Sequence, residues 1–127
     1  MLNKRAATDD TDVPLSLSDL KDLRLIVDVS LDSHPAVRDV TDDDTRILSS
    51  HLATLISSAS ASASSARPRL GRTPTVHLGA KHARDLASIV LSVCVEGVMW
   101  FPTLLERDIS DDRVTDLCDR LWRAIDP

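Results

Sequence analysis

The sequence is poor in aromatic residues and in glycine. It contains two tryptophans, one phenylalanine, no tyrosine and three glycines. With so few rings available, the core has to be built from leucine, valine, isoleucine and alanine. The shortage of glycine, together with long runs that lack β-turn dipeptides, argues against an all-β domain.

Motifs of catalytic chemistry are also absent. The sequence has no glycine-rich phosphate loop, no GxSxG and no HExxH, and its histidines at positions 34, 51, 77 and 82 show no catalytic spacing. Three consecutive aspartates follow Thr41 and could suggest a metal site. Their place in the first turn of a predicted helix explains them without a metal, because the positive end of the helix dipole favours carboxylates. We therefore predict that the protein is not an enzyme and holds no metal or cofactor.

Cysteine is scarce, and no cysteine lies at the spacing of a metal site or a CxxC motif. Cys94 and Cys118 both fall in apolar helical patterns, so we interpret them as small buried side chains in a reducing compartment. The first residues, MLNKRAATDD, lack the apolar stretch of a signal peptide. We expect a cytoplasmic location.

The residues that are present suit one globular domain. The chain has 127 residues, of which 43% are hydrophobic and 28% charged, enough for a single core. Its net charge of −5 argues against non-specific binding of nucleic acid by the whole surface. We predict a disordered acidic tail over residues 1–14 and a single helical domain over 15–127.

Helix-capping patterns predict the first two elements. A hydroxyl at Ser16 or Ser18 caps the first, which ends at His34-Pro35, although its alternating apolar residues also fit a strand. Thr41 and the acids after it cap the second, an amphipathic helix. Its predicted apolar face consists of Ile47, Leu48, Leu52, Leu55 and Ile56.

A Ser/Ala/Arg/Pro segment at about 58–77 is predicted to be an exposed basic loop. The Ser/Ala part can prolong the preceding helix or lie loose, and Pro68, Gly71 and Pro74 end whatever precedes them. The arginines at 67, 69 and 72 can touch phosphates. Without interleaved aromatics or a reading helix, however, they indicate a solvated surface loop.

The third predicted helix, from Leu78 to Phe101, is apolar on all sides. Residues 86–105 carry one charge, Glu96, and just reach the length of about twenty residues that a membrane span needs. Glu96 at mid-depth, Pro102 and the amphipathic neighbouring helices argue against that alternative. The other explanation is a helix that lies between its own core and a second subunit. Ser110 caps a fourth, strongly amphipathic helix.

We therefore predict an all-α bundle of four to five helices that dimerises through its last two helices. The candidate dimer residues are Leu86, Val90, Val93, Gly97, Leu117, Leu121 and Trp122. Glu96, with flat apolar neighbours, is a candidate for contact with a small molecule or with an arginine such as Arg84 or Arg123. The candidate ligand-binding residues are His51, Leu55, Glu96, Trp100 and Phe101.

The segment HARDLASIVLSVCVEGVMWFPTLLERDISDDRVTDLCDRLWRAI resembles the last two helices of the ligand-binding, dimerising domain of TetR-family transcriptional regulators. In that family a long apolar helix with a glycine in its middle precedes an acidic loop and a closing amphipathic helix. In this sequence the glycine corresponds to Gly97, the acidic loop to residues 106–112 and the closing helix to residues 113–125. The segment LRLIVDVSLDSHPAVRDV is similar to the early part of such domains.

The resemblance implies a non-enzymatic regulatory domain for dimerisation and binding of an apolar small-molecule effector. Its partner would be itself or a related full-length regulator. No helix-turn-helix is recognisable in residues 1–40, so we do not expect direct DNA binding. We also do not expect the protein to associate with a membrane. The alternative from another class is a small helical protein-interaction adaptor or inhibitor that binds no ligand.

Overall fold

The computed structural model describes residues 11–33, 40–65 and 75–125. Within these ranges the fold is all-α, as predicted, with five α-helices and one small antiparallel sheet. The strands are β1 (Thr11–Pro14) and β2 (Thr75–Leu78). The helices are α1 (Leu17–Ser33), α2 (Asp42–Ser65), α3 (Ala80–Glu96), α4 (Pro102–Glu106) and α5 (Asp111–Ile125), with a 3₁₀ turn at Val98–Trp100.

Helix α1 begins with a reciprocal cap, which decides between the helix and strand interpretations of this segment. The Asp19 N–H donates to Ser16 Oγ at 3.1 Å, and the Ser16 N–H donates to Asp19 Oδ2 at 2.9 Å. These two bonds satisfy backbone donors that the first turn would otherwise leave free. The predicted apolar positions Leu20, Leu23 and Ile26 are buried. The predicted helix stop at His34-Pro35 lies outside the described residues.

Helix α2 begins at the predicted cap but is longer than predicted. The Asp44 N–H donates to Thr41 Oγ1 at 3.1 Å. Leu48 and Leu52 are buried, whereas Ile47 is 55% exposed, so its place on the inner face was predicted wrongly. The helix continues to Ser65 because alanine and serine tolerate helical backbone, and residues 58–65 are therefore not loop. The arginines at 67, 69 and 72 lie outside the described residues.

A short sheet joins the N-terminal segment to the segment before α3. Strand β1 pairs antiparallel with β2, with Asp12 opposite His77 and Val13 opposite Val76. Val13 and Leu78 are fully buried. Residues 11–14, predicted as part of the disordered tail, are therefore a strand, because they pair with residues 61 to 67 positions away that local sequence does not reveal. Residues 1–10 of that predicted tail lie outside the described residues.

Helix α3 ends earlier than predicted, at Glu96 rather than near Pro102. Gly97 has φ 96° and ψ 135°, and its N–H donates to the carbonyl of Val93 at 2.9 Å. Residues other than glycine rarely adopt that backbone conformation. Gly97 therefore ends the helix, and the chain turns here. Pro102 does not stop a helix but begins α4, where its missing N–H costs nothing.

The core is aliphatic, as predicted from the scarcity of aromatic residues. Of the three aromatic side chains only Phe101 is buried, while Trp100 and Trp122 are exposed. Helix α3 lies in the middle of the bundle, against α1, α2 and α5. In the part of the chain that the structure describes, no helix combines the length and apolar character that crossing a bilayer requires.

Candidate functional site: an apolar surface across helices α3 and α5

The residues predicted to form a dimer interface mostly lie in the interior. Five of them have no exposed surface, because other elements of the same chain cover them. They lie in the core rather than on a surface that a second copy could contact, and dimerisation itself stays a prediction. These five residues are Leu86, Val90, Val93, Leu117 and Leu121. Gly97 is half-buried and caps the end of α3 rather than lying in the middle of the helix. Of the predicted residues only Trp122 is clearly exposed, at 39%.

The residues predicted to bind a ligand are not brought together. The His51 ring on α2 lies 4.5 Å from the His82 ring at the start of α3, and Leu55 lies one turn further along α2. Glu96 is fourteen positions after His82 on the same helix, a distance of about 21 Å at 1.5 Å per residue. Trp100 is 69% exposed and Phe101 is 2% exposed, so these neighbours face opposite ways.

Glu96 is half-buried at the last position of α3. Within the described ranges it forms no ion pair with Arg84, Arg123 or any other residue, contrary to the predicted pairing. A carboxylate is tolerated there because the end of α3 lies at the boundary of the fold rather than at its centre.

A shallow depression lined mainly by residues of α1 does not replace the missing pocket. It encloses about 480 Å³ and is open to solvent, with charged groups along its rim. Its lining residues are Ser18, Lys21, Asp22, Arg24, Leu25, Asp28, Ile56 and Arg107. None of them is a predicted ligand residue, and the lining differs from the enclosed apolar walls that an apolar effector favours.

The large apolar side chains that remain exposed are concentrated in one part of the chain. Six of seven lie between positions 91 and 122, which makes this part unlike an ordinary protein surface. Five of them belong to α3, the 3₁₀ turn and α5, and we call these five the outer apolar surface. They are Leu91 at 40%, Val95 at 62%, Met99 at 72%, Trp100 at 69% and Trp122 at 39% exposure. Leu105 and Ile47 lie on other elements.

Two packed helices carry this surface. Cys94 Sγ of α3 lies 3.4 Å from Thr115 Oγ1 of α5, close to the ends that residues 97–110 connect. Together with the hydrogen bond from Val98 to Asp111, this contact shows that the two helices run antiparallel, because a later residue on the α3 side contacts an earlier residue on the α5 side. Leu91 and Val95 are one turn apart on α3, and Trp122 is two turns beyond Thr115 on the same side of α5. Both helices therefore present apolar side chains beside their common seam.

The corner after α3 holds the other two members. A Cβ atom on Gly97 would lie 3.9 Å from Trp100 Cδ1 and 4.0 Å from Met99 Cγ, so both side chains lie against the glycine. The Val98 N–H donates to Asp111 Oδ1 at 2.7 Å, which ties the corner to the first turn of α5. Met99 and Trp100 are thus exposed on a fixed turn.

On its other side, α5 is bound to α1 by a buried ion-pair network. The Asp19 carboxylate, 6% exposed, accepts from Arg113 Nη2 at 2.6 Å and from Arg120 Nη1 at 2.7 Å. Arg113 also reaches Asp22, at 2.8 Å, and Arg120 reaches Asp116, at 2.7 Å. Burial alone would raise the pKa of Asp19, but the Ser16 N–H and the two arginines hold it below its ordinary value.

Sequence reasoning missed this network, although one signal was available. Arg113 and Arg120 are seven positions apart, so they lie on one side of the amphipathic α5, where a cation needs a partner. Nothing local indicates that the partner is Asp19, a residue of the first turn of α1 that also caps that helix with Ser16. The network fixes which side of α5 faces inward and leaves Trp122 outside.

Metal chemistry finds no support in the described parts of the chain, where no three His, Cys, Asp or Glu side chains are grouped so as to hold an ion. The histidine on β2, His77, contacts the carboxylate of Asp12 across the sheet. Comparison of the chain with protein-family models, with curated proteins and with solved structures finds no match.

Proposed function

We propose that this chain is a non-enzymatic dimerisation domain in which the outer apolar surface of one copy binds the same surface of a second copy. The observation that supports it is the exposure of Leu91, Val95, Met99, Trp100 and Trp122 on two helices that pack together and on the turn after the first of them. Clusters of exposed apolar side chains mark contact surfaces, and tryptophan and methionine are enriched at the centres of protein interfaces.

A second copy suits this surface for two reasons. Two-fold symmetry would place the α3–α5 pair of one copy against that of the other, which gives the four-helix arrangement that buries both outer sides. The charges beside the surface do not oppose it, because Asp119 and Arg123 on α5 pair with each other at 3.0 Å. Two chains of net charge −5 can thus meet on a region that carries little charge of its own.

The proposal keeps one part of the TetR-like expectation, dimerisation through the last two helices, and moves it to their opposite sides. Binding of a small-molecule effector, exchange with a full-length regulator and a cytoplasmic location remain predictions. The rival function, an adaptor that binds a different protein, would use the same surface. Measurement of the oligomeric state separates the two.

Val95→Asp is the most direct test. Val95 is 62% exposed, so an aspartate there is solvated in the monomer but would be buried without a partner in the dimer. We expect light scattering to give a dimer for the wild type and, at equal concentration, a monomer for the variant. The dissociation constant should rise about 30-fold or more, as for loss of an interface hot spot of about 2 kcal/mol.

Ile47→Asp is the matched control. Ile47 is a β-branched residue on a helix with 55% exposure, but it lies on α2, away from the outer apolar surface. We expect this variant to remain dimeric. A wild type that stays monomeric at the highest soluble concentration, or equal effects of the two aspartates, would exclude self-association through this surface and leave the adaptor as the better explanation.

A further inference from the structure

The fold brings the only two cysteines of the sequence to one helix seam. Cys94 lies on α3 and Cys118 on α5, 24 positions later. Cys94 Sγ lies 3.4 Å from Thr115 Oγ1, and Cys118 follows Thr115 by three residues. Side chains three apart on a helix are neighbours, with Cβ atoms about 5–6 Å apart. The two thiols therefore occupy adjacent positions on facing helices.

The two thiols differ in access to solvent. Cys94 is half-buried and next to the exposed Leu91 and Val95, whereas Cys118 is 7% exposed. Burial raises the pKa of the Cys118 thiol, and the neighbouring Cys94 adds to that rise, outweighing the opposite effect of a hydrogen bond with Trp122. A reagent from solution consequently meets Cys94 first, and Cys118 reacts only as an internal thiol.

We propose that Cys94 and Cys118 form an oxidisable pair, which a low-molecular-weight disulfide such as oxidised glutathione converts into an intramolecular disulfide between α3 and α5. The Cys94 thiolate attacks the reagent, forms a mixed disulfide and releases one glutathione thiolate. The Cys118 thiolate then attacks the Cys94 sulfur and releases the second glutathione thiolate. The protein loses two protons and two electrons, and the reagent becomes two molecules of glutathione.

The contact between the two helices favours such a bond. A disulfide requires Cα atoms about 4.4–6.8 Å apart, and the 3.4 Å contact of Cys94 with Thr115 brings α3 and α5 together one turn from Cys118. The bond would close the connection 97–110 and tie α3 to α5 beneath the outer apolar surface. It would raise the thermal midpoint by restricting the unfolded chain. The inference does not depend on dimerisation, because both cysteines belong to one chain.

The test is oxidation of the folded, full-length chain with oxidised glutathione, followed by intact mass and thiol titration without reductant. We expect the thiol count to fall from two to zero, the mass to fall by two hydrogen atoms with no glutathione retained, and one peptide pair linked through Cys94 and Cys118. Reductant should restore both thiols. The melting temperature of the oxidised chain should exceed that of the reduced chain.

The single variants Cys94→Ser and Cys118→Ser are the matched controls. Each keeps one thiol and cannot close the bond; Cys118→Ser should accumulate a mixed disulfide with glutathione faster than Cys94→Ser, because Cys94 is the accessible thiol. Three results for the wild type would overturn the inference. They are a lasting glutathione adduct, a disulfide between two chains, and thiols that stay unmodified while Cys118→Ser takes up glutathione.

Discussion

The two sides of helix α3 carry the same kinds of residues and have opposite environments. Leu86, Val90 and Val93 have no exposed surface, whereas Leu91 is 40% and Val95 62% exposed. Composition does not distinguish them, since both sides are leucine and valine. The difference is set by the neighbours: α1, α2 and α5 cover one side, and no described segment covers the other. The enclosed side stabilises the fold, and the outer side is available for association.

The largest effect expected from this comparison concerns stability. Leu86→Ala on the enclosed side should lower the free energy of unfolding by about 3–4 kcal/mol, because it removes buried methyl groups and leaves a cavity. Leu91→Ala on the outer side should lower the monomer's stability by less than about 1 kcal/mol and weaken the dimer instead. Urea unfolding at low protein concentration checks both. Equal losses in the two variants would contradict the assignment of sides.

The enclosed side of α5 should respond strongly to loss of charge. Asp19→Asn would remove the carboxylate that Arg113 and Arg120 share and leave them only Asp22 and Asp116. We expect a loss of about 2–3 kcal/mol, less than for a fully buried pair, because the arginines are 26% and 32% exposed. Asp119→Asn, in the exposed pair with Arg123, should cost at most about 1 kcal/mol. Matching losses at the two positions would show that the network does not hold α5.

The network also predicts the direction of acid unfolding. Because the pKa of Asp19 is held below its ordinary value of 3.8, the folded state keeps this carboxylate charged to lower pH than the unfolded chain. The contribution of ionised Asp19 to stability is complete above pH 3.8, and it is lost as the pH falls through the lower pKa that Asp19 has in the folded state. The Asp19→Asn variant should therefore lose less stability than the wild type in that window.

Capping signals predicted from sequence were correct because a cap is local. Ser16, Thr41 and Ser110 each lie within three residues of the amide that they accept from. The aliphatic core and the all-α class also followed from composition. The side of α3 that faces outward could not be predicted, because helical periodicity identifies apolar positions but not the segments that cover them. Strand β1 and the Asp19 network were missed for the same reason, since their partners lie 61 to 101 positions away.

A smaller effect is expected where α3 ends, since this turn orients Met99 and Trp100. Gly97→Ala should cost about 1–2 kcal/mol because φ is 96° there, a conformation that strains any residue with a Cβ. The space itself is sufficient, with the nearest atom at 3.9 Å. Gly79→Ala is the control, because Gly79 has φ −60° and similar room. Thermal unfolding should separate the two alanines, and identical midpoints would contradict the assigned strain.

The smallest effect concerns His51 on α2, which contacts the first turn of α3 through His82. Its Nε2 is buried without a hydrogen-bond partner among the described residues, and its ring lies 4.5 Å from that of His82. Desolvation, followed by the charge of His82, lowers the pKa of His51 below 6.5. The folded state thus binds this proton less readily than the unfolded chain, so stability should fall as the pH drops below 6.5 until His51 protonates in the fold.

His51→Gln should remove part of this dependence without changing stability at pH 8 by more than about 1 kcal/mol. The control His77→Gln alters an exposed histidine on β2 whose partner is Asp12 and leaves the His51–His82 contact intact. Urea unfolding of the three proteins between pH 5 and pH 8 gives the comparison. If the slope of the unfolding free energy against pH is unchanged in His51→Gln, another group causes the loss of stability between pH 8 and pH 5. Only a group whose proton affinity differs between the folded and unfolded states can produce such a slope.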